Sequence, residues 1–154
     1  MIPAPALEQI ARHARETYPA ECCGLLLADA NGDLRFQAIA NIAGTAQGAP
    51  TSARGQRDGY VMDPKALLLA LEAAERTGVS LWAIVHSHPD VGAYFSREDR
   101  DMALGGGDEP LWPGVRYLVV SVRAGNVDGA RLYTWDAAGR DFRGEEVRGI
   151  PAYP

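Results

Sequence analysis

The sequence predicts a single α/β domain in which helices flank one mixed β-sheet. Helical and strand-like segments alternate along the chain, its 154 residues suit one domain, and no internal repeat marks a second one. A hydrophobic fraction of 47% and a charged fraction of 23% are ordinary for a folded protein with its own core. We expect the domain to span residues 1–148 and residues 149–154 to form a flexible C-terminal tail.

The first third of the chain predicts a helix, a hairpin and a loop. Apolar residues recur at helical spacing over about residues 5–17, and Pro19 ends that segment. Residues 22–28 (CCGLLLA) form a short, continuously apolar run that is typical of a buried strand. After a turn, residues 34–41 predict its antiparallel partner. Residues 44–59 are rich in small residues without periodicity and predict a mobile loop.

The middle of the chain predicts a second helix and a central strand. Asp63 suits an N-cap, Pro64 suits the first helical position, and Gly78 suits the C-terminal stop. Residues 81–85 (LWAIV) then predict a strand of the sheet interior.

The remaining chain predicts a short helix and three more strands. The helix opens at Ser96 and ends near residues 105–107, which are all glycine. Residues 117–122 and 131–135 predict two strands, and residues 142–148 predict a further strand at the sheet edge.

Charge and composition narrow the range of partners. The 20 acidic and 15 basic residues give a net charge of −5, which argues against nucleic acid. No apolar run approaches the roughly 20 residues that a membrane span requires, and the N-terminus lacks the features of a secretion signal. We therefore expect a cytoplasmic protein without a membrane partner, and nothing in the sequence specifies an oligomeric state.

The adjacent cysteines, Cys22 and Cys23, are expected to be buried apolar residues, with a redox or tuning role beside Glu21 as the alternative.

The most informative feature is a His-x-His pair at the end of the central strand. The chain has three histidines, and His86 and His88 stand one residue apart. Side chains at i and i+2 of a strand share a face, so two imidazoles there can converge on one metal ion. Asp99 adds an oxygen ligand that zinc accepts, and three protein ligands with an open fourth position are typical of catalytic zinc. The spacing favours a zinc hydrolase, with Asp101 as the rival ligand if the helix register differs.

Each of these residues also has a purely structural interpretation. The histidines can be a polar pair bonded to loop backbone, and Glu21 can be a solvated turn carboxylate. Ser96 and Asp99 fit a helix N-terminus, where serine caps and an acid three residues later favours the dipole. The joint occurrence of the histidine pair and a carboxylate at a helix start favours the metal site.

The same residues resemble a known motif. His86-Ser87-His88-Pro89, with seven residues between His88 and Ser96 and two between Ser96 and Asp99, is similar to the JAMM motif of the MPN-domain metalloproteases. The upstream glutamate of that motif matches Glu21 in residues 18–24 (YPAECCG), a segment that resembles the start of bacterial stand-alone members. The resemblance covers nearly the whole chain in element order.

The resemblance implies a fold, a cofactor and a reaction. It implies the MPN/JAB fold, which is similar to that of cytidine deaminases, with zinc held by His86, His88 and Asp99. Glu21 would be the general base, and Ser96 would stabilise the oxyanion. The substrate would be a peptide or isopeptide bond after the glycine-ending tail of a ubiquitin-like or sulfur-carrier protein.

The sequence departs from the family pattern in two respects. Phe95 replaces a proline that many relatives have before the serine, and the insertions with which eukaryotic deubiquitinating relatives grip a ubiquitin chain are not evident.

Residues 44–59 and 105–113 are the expected rims of the substrate groove, and Tyr94 and Trp112 are candidates to touch the substrate.

Other classes of protein are weighed against this hypothesis. A scaffold domain of the same fold is the main alternative, although inactive members lack ligands that this chain retains. A zinc deaminase needs His-x-Glu and a later Pro-Cys-x-x-Cys, whereas both cysteines here precede the histidine pair. A metal-dependent amidohydrolase barrel needs about 250 residues, and the chain has no HExxH motif. His13 is expected to be a surface or packing histidine.

Overall fold

The protein is described by a computed structural model over residues 1–45 and 55–152. Residues 46–54 of the predicted loop and 153–154 of the predicted tail lie outside the described residues. The helices of the described chain are α1 Ala4–Thr17, α2 Pro64–Arg76 and α3 Arg97–Leu104. Its strands are β1 Cys23–Ala28, β2 Leu34–Ile39, β3 Ser80–Pro89, β4 Arg116–Arg123, β5 Asn126–Asp136 and β6 Asp141–Glu146.

The six strands form one sheet in the order β2-β1-β3-β4-β5-β6. Strands β3 and β4 are parallel, and every other neighbouring pair in this sheet is antiparallel. A parallel pair needs a crossover connection, and α3 lies in the segment that provides it. The predicted α/β class with a mixed sheet is thereby confirmed, and β6 is an edge strand as predicted.

The helix boundaries follow local sequence signals. The side chain of Asp63 accepts hydrogen bonds from the backbone N–H groups of Lys65 and Ala66, and Pro64 opens α2. Gly78, just beyond α2, adopts a φ of +67°, which L-residues with a side chain rarely adopt. Gly105 has a φ of +58° and caps the C-terminus of α3. These three predictions from the sequence are confirmed.

Apolar side chains pack on both faces of the sheet. On the first face, the apolar side of α1 packs against alternate residues of β3 and β4, including Val85 and Leu118. On the second face, α2 covers β1 through Ala70 and Ala74. Ala103 of α3 packs against β4 and β5 on that same face. The second face therefore carries two helices, with β3 lying between the regions that they cover.

Two predicted strands proved too short. Strand β3 extends to Pro89, so the histidine pair lies inside the strand and not at its exit. Its polar end is held because His86 pairs with Cys23 of β1 on one side and His88 pairs with Ser121 of β4 on the other. Strand β5 begins at Asn126, five residues before the predicted start. Its pairing with β4 outweighs the weak strand propensity of glycine and aspartate there.

One residue of the C-terminal segment packs against the domain. Ile150, which follows β6, is partly buried against the cluster that contains α1. The predicted domain boundary at residue 148 stays a prediction.

Across residues 1–45 and 55–152, the longest and most apolar helices still fall short of what crossing a membrane requires.

Candidate active site

Strand alternation presents the histidine pair on the second face of the sheet. Side chains in a strand alternate between faces, so Ile84, His86 and His88 point to the side that α2 and α3 cover. His86 is fully buried, and His88 is 5% exposed. The sequence expectation that the two imidazoles share one face agrees with their placement, because their Nε2 atoms lie 3.2 Å apart.

The start of α3 presents Asp99 to the imidazoles. Ser96 is the N-cap, and its Oγ accepts a hydrogen bond from the backbone N–H of Asp99 at 3.1 Å. In return, Asp99 Oδ2 accepts a hydrogen bond from the backbone N–H of Ser96 at 2.8 Å. This reciprocal pair is a capping box, which fixes the carboxylate of the third helical residue against the helix end. Asp99 is 8% exposed, a low value for a carboxylate.

The three side chains have the geometry of a metal site. His86 Nε2 lies 3.1 Å from Asp99 Oδ1, and His88 Nε2 lies 3.4 Å from Asp99 Oδ2. Bonds of 2.0–2.1 Å to a tetrahedral zinc would place ligand atoms about 3.3–3.4 Å apart. One ligand atom from each residue lies within 4.8 Å of the other two. The donor set and its spacing thus fit a small divalent cation.

The rival ligand Asp101 takes a different role. It faces Arg97 across one helical turn, with 3.8 Å between the guanidinium Nε and the carboxylate, and its side chain is 64% exposed. Successive positions in a helix are rotated by about 100°, so Asp99 and Asp101 cannot both point at the imidazoles.

Burial and hydrogen bonding set the charges at the site. Burial opposes ionisation of Asp99, but hydrogen bonds from His86, His88 and Ser96 hold its pKa well below the usual value. Burial lowers the pKa of His86 and keeps that imidazole neutral. Burial also disfavours charge on His88, but the hydrogen bond and the negative charge of Asp99 outweigh it and raise the pKa of His88. A neutral imidazole is the form that binds a metal.

The two imidazoles are held in different ways. His88 Nδ1 lies 3.2 Å from the carbonyl oxygen of Gly92. Because a carbonyl oxygen only accepts, Nδ1 carries the proton, and Nε2 of the neutral ring presents a lone pair. His86 Nδ1 is buried and has no hydrogen-bond partner among the described residues. Its ring instead stacks on Tyr60, with 4.7 Å between ring centroids and 25° between the planes.

Glu21 lies beside the histidines because of the β1–β3 register. Cys23 pairs with His86, and the backbone N–H of Ser87 donates to the carbonyl of Cys22 at 3.1 Å. Extending this register by one more residue sets Glu21 opposite His88. The backbone N–H of Glu21 donates to the carbonyl of Gln56, and the residue is 6% exposed. The structure therefore brings a buried carboxylate to the same site as the three candidate ligands.

A cleft of about 590 Å³ opens over this group. Residues 57–61 form one wall, which agrees with the part of the predicted 44–59 rim that the structure describes. The opposite wall comes from the segment after β3 and from α3, and not from the predicted rim 105–113. Six of the residues that line the cleft are candidates for the chemistry or for contact with a substrate: Glu21, Tyr60, His88, Tyr94, Ser96 and Asp99.

The sequence singled out Tyr94, Trp112 and His13, and of these Tyr94 lines the cleft. Tyr94 lines it, is 52% exposed, and has its ring centroid 5.1 Å from that of His88. Trp112 does not line it. His13 packs against Phe36 at a ring distance of 5.7 Å, as expected for a packing histidine. Tyr60 is the site residue that sequence reasoning missed, since it stands in a segment without periodicity.

The adjacent cysteines are buried on opposite faces of β1. Cys22 packs with the α1 cluster and Cys23 with the α2 cluster. Both thiols are free, and burial raises the pKa of each to about 12. A protonated, buried thiol is inert, so the prediction of buried apolar residues describes them and a redox role does not.

Comparison with known proteins identifies the family. The sequence profile of the prokaryotic homologues of the JAB domain matches residues 3–136. A desampylase from Haloferax volcanii is 33% identical over 144 residues, covering 91% of this chain and 88% of the relative. The chain belongs to the prokaryotic JAB family.

Two further similarities accompany the family match, one in sequence and one in fold. A probable TtuB-protein conjugate cleaving protease from Thermus thermophilus is 58% identical over 40 residues, which are 26% of this chain and 27% of that protein. A protein from Desulfitobacterium hafniense with a known solution structure superimposes with a TM-score of 0.63 at 23% identity, covering 93% of this chain and 86% of that one. The predicted resemblance to stand-alone JAMM/MPN proteins is thereby confirmed, together with the fold.

Proposed function

We propose that this JAB-family protein is a zinc-dependent hydrolase of a peptide or isopeptide bond. Its substrate would be the C-terminal glycine tail of a ubiquitin-like or sulfur-carrier protein. The observation that carries the proposal is the convergence of His86, His88 and Asp99, with 3.1–3.4 Å between the two Nε2 atoms and between each Nε2 and a carboxylate oxygen. They meet at the base of a cleft that His88, Asp99, Glu21 and Ser96 line. The relatives, a desampylase and a probable protease for TtuB-protein conjugates, support a reaction on conjugates of ubiquitin-like proteins.

His86, His88 and Asp99 would hold the cation. When bound, zinc supplies a Lewis acid for the scissile carbonyl and lowers the pKa of water from ~15.7 to about 7. The protein's part is to orient the two imidazoles and to keep the carboxylate ionised. The burial of His86 favours its neutral form, the Nδ1 hydrogen bond of His88 leaves Nε2 as its ligand atom, and the capping box favours the ionised carboxylate of Asp99.

Glu21 would carry the proton. Its carboxylate would take a proton from the attacking water and deliver it to the leaving amine, so that the same group acts first as base and then as acid. Its backbone is fixed by hydrogen bonds to Gln56 and Asn41, at 2.6 and 2.9 Å. This anchoring would hold the carboxylate beside the ligands, in a residue that is 6% exposed.

Ser96 would bind the developing oxyanion. Its Oγ accepts the hydrogen bond of the capping box, which leaves the hydroxyl proton available to a substrate oxygen in the cleft. A donor aimed at an oxyanion typically contributes about 10²–10³ in rate. Capping and catalysis therefore use different parts of the same hydroxyl group.

The cleft matches an extended peptide better than a folded domain. At about 590 Å³ it is within the range of pockets that hold small ligands, so a folded partner would stay outside and insert a tail. Val61, Val91 and Tyr94 line the cleft and are partly exposed. A tail of small residues such as glycine would reach the base of the cleft past these side chains.

The test uses a ubiquitin-like carrier protein with a short C-terminal extension after its terminal glycines. The protein should release the extension in the presence of Zn²⁺, lose this activity with a chelator, and give product masses that locate the cut after the tail. Glu21→Gln should bind zinc but not cleave, because the amide cannot carry the proton. Cleavage that persists after zinc removal, or in Glu21→Gln, would contradict the mechanism.

A cytoplasmic location and the lack of a nucleic-acid partner are also part of this proposal. Both cysteines are free thiols, which fits the reducing cytoplasm. The net charge of −5 does not favour nucleic acid. A binding scaffold of the same fold is the alternative, but the geometry of the three ligand atoms favours the enzyme.

A further inference from the structure

The segment between the two halves of the candidate site has no secondary structure of its own. Residues 90–95 join β3 to α3. His88 lies just before this segment, and Ser96 and Asp99 lie at its far end. Its backbone conformation therefore sets the distance between the second imidazole and the carboxylate, which is 3.4 Å. We call residues 90–95 the site loop.

Side chains of three adjacent strands hold the site loop by its carbonyl groups. Three consecutive carbonyl oxygens each accept one hydrogen bond, and each donor belongs to a different strand. Such bonds take the place of the backbone hydrogen bonds that a regular element would have. The bonds are Ser121 Oγ to Val91 O at 2.7 Å, His88 Nδ1 to Gly92 O at 3.2 Å, and Tyr133 Oη to Ala93 O at 2.8 Å.

Tyr133 is the donor that reaches farthest along the chain, forty residues from its acceptor. Its ring stacks on Phe95 with 5.0 Å between centroids and 23° between planes. The ring also lies over Gly144, where an added Cβ would overlap it. Tyr133 is 7% exposed, so its hydroxyl is held in place by packing from several sides.

We propose that Tyr133 is a positioning residue for the metal site, acting through the site loop. Its hydroxyl fixes the carbonyl of Ala93 and its ring fixes Phe95, the residue that directly precedes the helix cap Ser96. Because Ser96 and Asp99 form one capping box, holding the entry to α3 also holds the carboxylate against His88. The inference rests on the proposed metal-dependent function and extends it to a residue that lines no part of the described cleft.

Tyr117 offers a matched control within the same aromatic cluster. It is 3% exposed, and its ring centroid lies 5.3 Å from that of Phe95. Its buried hydroxyl has no hydrogen-bond partner in the part of the chain that the structure describes. Tyr117→Phe thus removes a hydroxyl that holds nothing there, whereas Tyr133→Phe removes the one that holds Ala93.

The first experiment compares Zn²⁺ affinity of the wild type, Tyr133→Phe and Tyr117→Phe, by competition with a chromophoric chelator. Loss of an outer partner of a metal ligand typically weakens metal binding about 10- to 100-fold. Tyr133 acts on the ligands through the site loop, one contact further out, so we expect a loss of up to that order in Tyr133→Phe and none in Tyr117→Phe. The visible spectrum of bound Co²⁺ should change in the first variant only. Equal affinities of Tyr133→Phe and the wild type, or equal losses in both variants, would overturn the proposal.

A second measurement separates this inference from the proposed function. Amide hydrogen exchange of residues 90–96 should be faster in Tyr133→Phe than in Tyr117→Phe, in protein without added metal. Unchanged exchange would overturn the role of Tyr133 even in a protein that binds zinc. A wild type without zinc affinity would instead overturn the proposed function, and the exchange result would still decide whether Tyr133 holds the loop.

Discussion

Ser96 and Asp99 bind each other's backbone N–H groups, with Asp99 Oδ2 accepting at 2.8 Å and Ser96 Oγ accepting at 3.1 Å. The same carboxylate has its other oxygen 3.1 Å from His86 Nε2. A capping box thus fixes the rotation of a candidate metal ligand, because one oxygen is committed to the helix start. The cap and the ligand are parts of one arrangement.

Substitutions of Ser96 should separate its two roles. Ser96→Ala removes both the cap acceptor and the hydroxyl donor, and we expect a stability loss of about 0.5–2 kcal/mol. Ser96→Gly also lacks the hydroxyl, but glycine at an N-cap costs only a few tenths of a kcal/mol. If Ser96 binds the oxyanion, kcat/KM should fall about 10²–10³-fold in both variants.

The readouts are denaturant unfolding and cleavage kinetics on the same preparations. Ser96→Thr is the control, because threonine retains both an acceptor and a donor. A rate loss that follows stability, large in the alanine variant and small in the glycine variant, would leave Ser96 with a capping role alone.

The histidine substitutions should distinguish ligand from packing roles. We expect His86→Ala and His88→Ala each to abolish stoichiometric zinc binding, because two remaining ligands do not make a stable zinc site. His13, which packs on Phe36 away from the site, supplies the control, and His13→Ala should retain one zinc per chain. Elemental analysis of the purified proteins measures this. Equal zinc contents in all three variants would argue against the site.

Tyr60 should support His86 through its ring and not through its hydroxyl. The stacked ring is worth about 0.5–1.5 kcal/mol beyond its buried area, which corresponds to about 2- to 13-fold in the Kd for zinc. Tyr60→Ala should show this loss, whereas Tyr60→Phe keeps the ring and should bind zinc as the wild type does. Calorimetric or competition titration measures both, and equal affinity in the alanine variant would contradict the role.

The buried thiols predict a stability loss in alkali. Burial holds the pKa of Cys22 and Cys23 at about 12 in the folded protein, against an ordinary value of 9.0. The folded state therefore binds more protons than the unfolded state between these values. The thiol contribution to stability is fully present below about pH 9 and is lost as pH rises toward 12.

Two measurements check the thiol prediction. A charged thiol reagent at pH 8 should leave the native protein unmodified and label two thiols after denaturation. Unfolding free energies at pH 8, 9 and 10 should fall less steeply in a Cys22→Ala, Cys23→Ala double variant. Rapid labelling of the native protein would show that the thiols are not buried.

A glycine in β1 should tolerate no side chain. A Cβ on Gly24 would lie 2.5 Å from the Phe36 ring and 2.6 Å from the carbonyl oxygen of Gln37, so the strand pair would have to shift. Such overpacking typically costs about 1–3 kcal/mol, and Gly24→Ala should lower the free energy of unfolding by that amount. Gly129 in β5 has no atom within 4 Å of the same position and is the control. Equal stability of the two alanine variants would contradict the predicted crowding.

The sequence predicted the elements whose signals are local. Helix α2 begins with Asp63 and Pro64, and the Ser96–Asp99 spacing specifies a capping box, because hydrogen bonds between residues two or three apart decide both. The alternation of His86 and His88 likewise follows from strand geometry alone. The extent of β3 and β5 was wrong because pairing with distant strands outweighs the propensities of their polar residues.

The amino-acid sequence by itself determined the fold class, the family motif and which residues present imidazole and carboxylate groups. Only the tertiary structure decided that Glu21 lines the same cleft as His88, that Tyr60 stacks on His86, and that Tyr133 holds the carbonyl of Ala93. Those relationships join residues 26 to 67 positions apart, and no short-range pattern encodes them. They depend on the register of strands that meet only when the sheet forms.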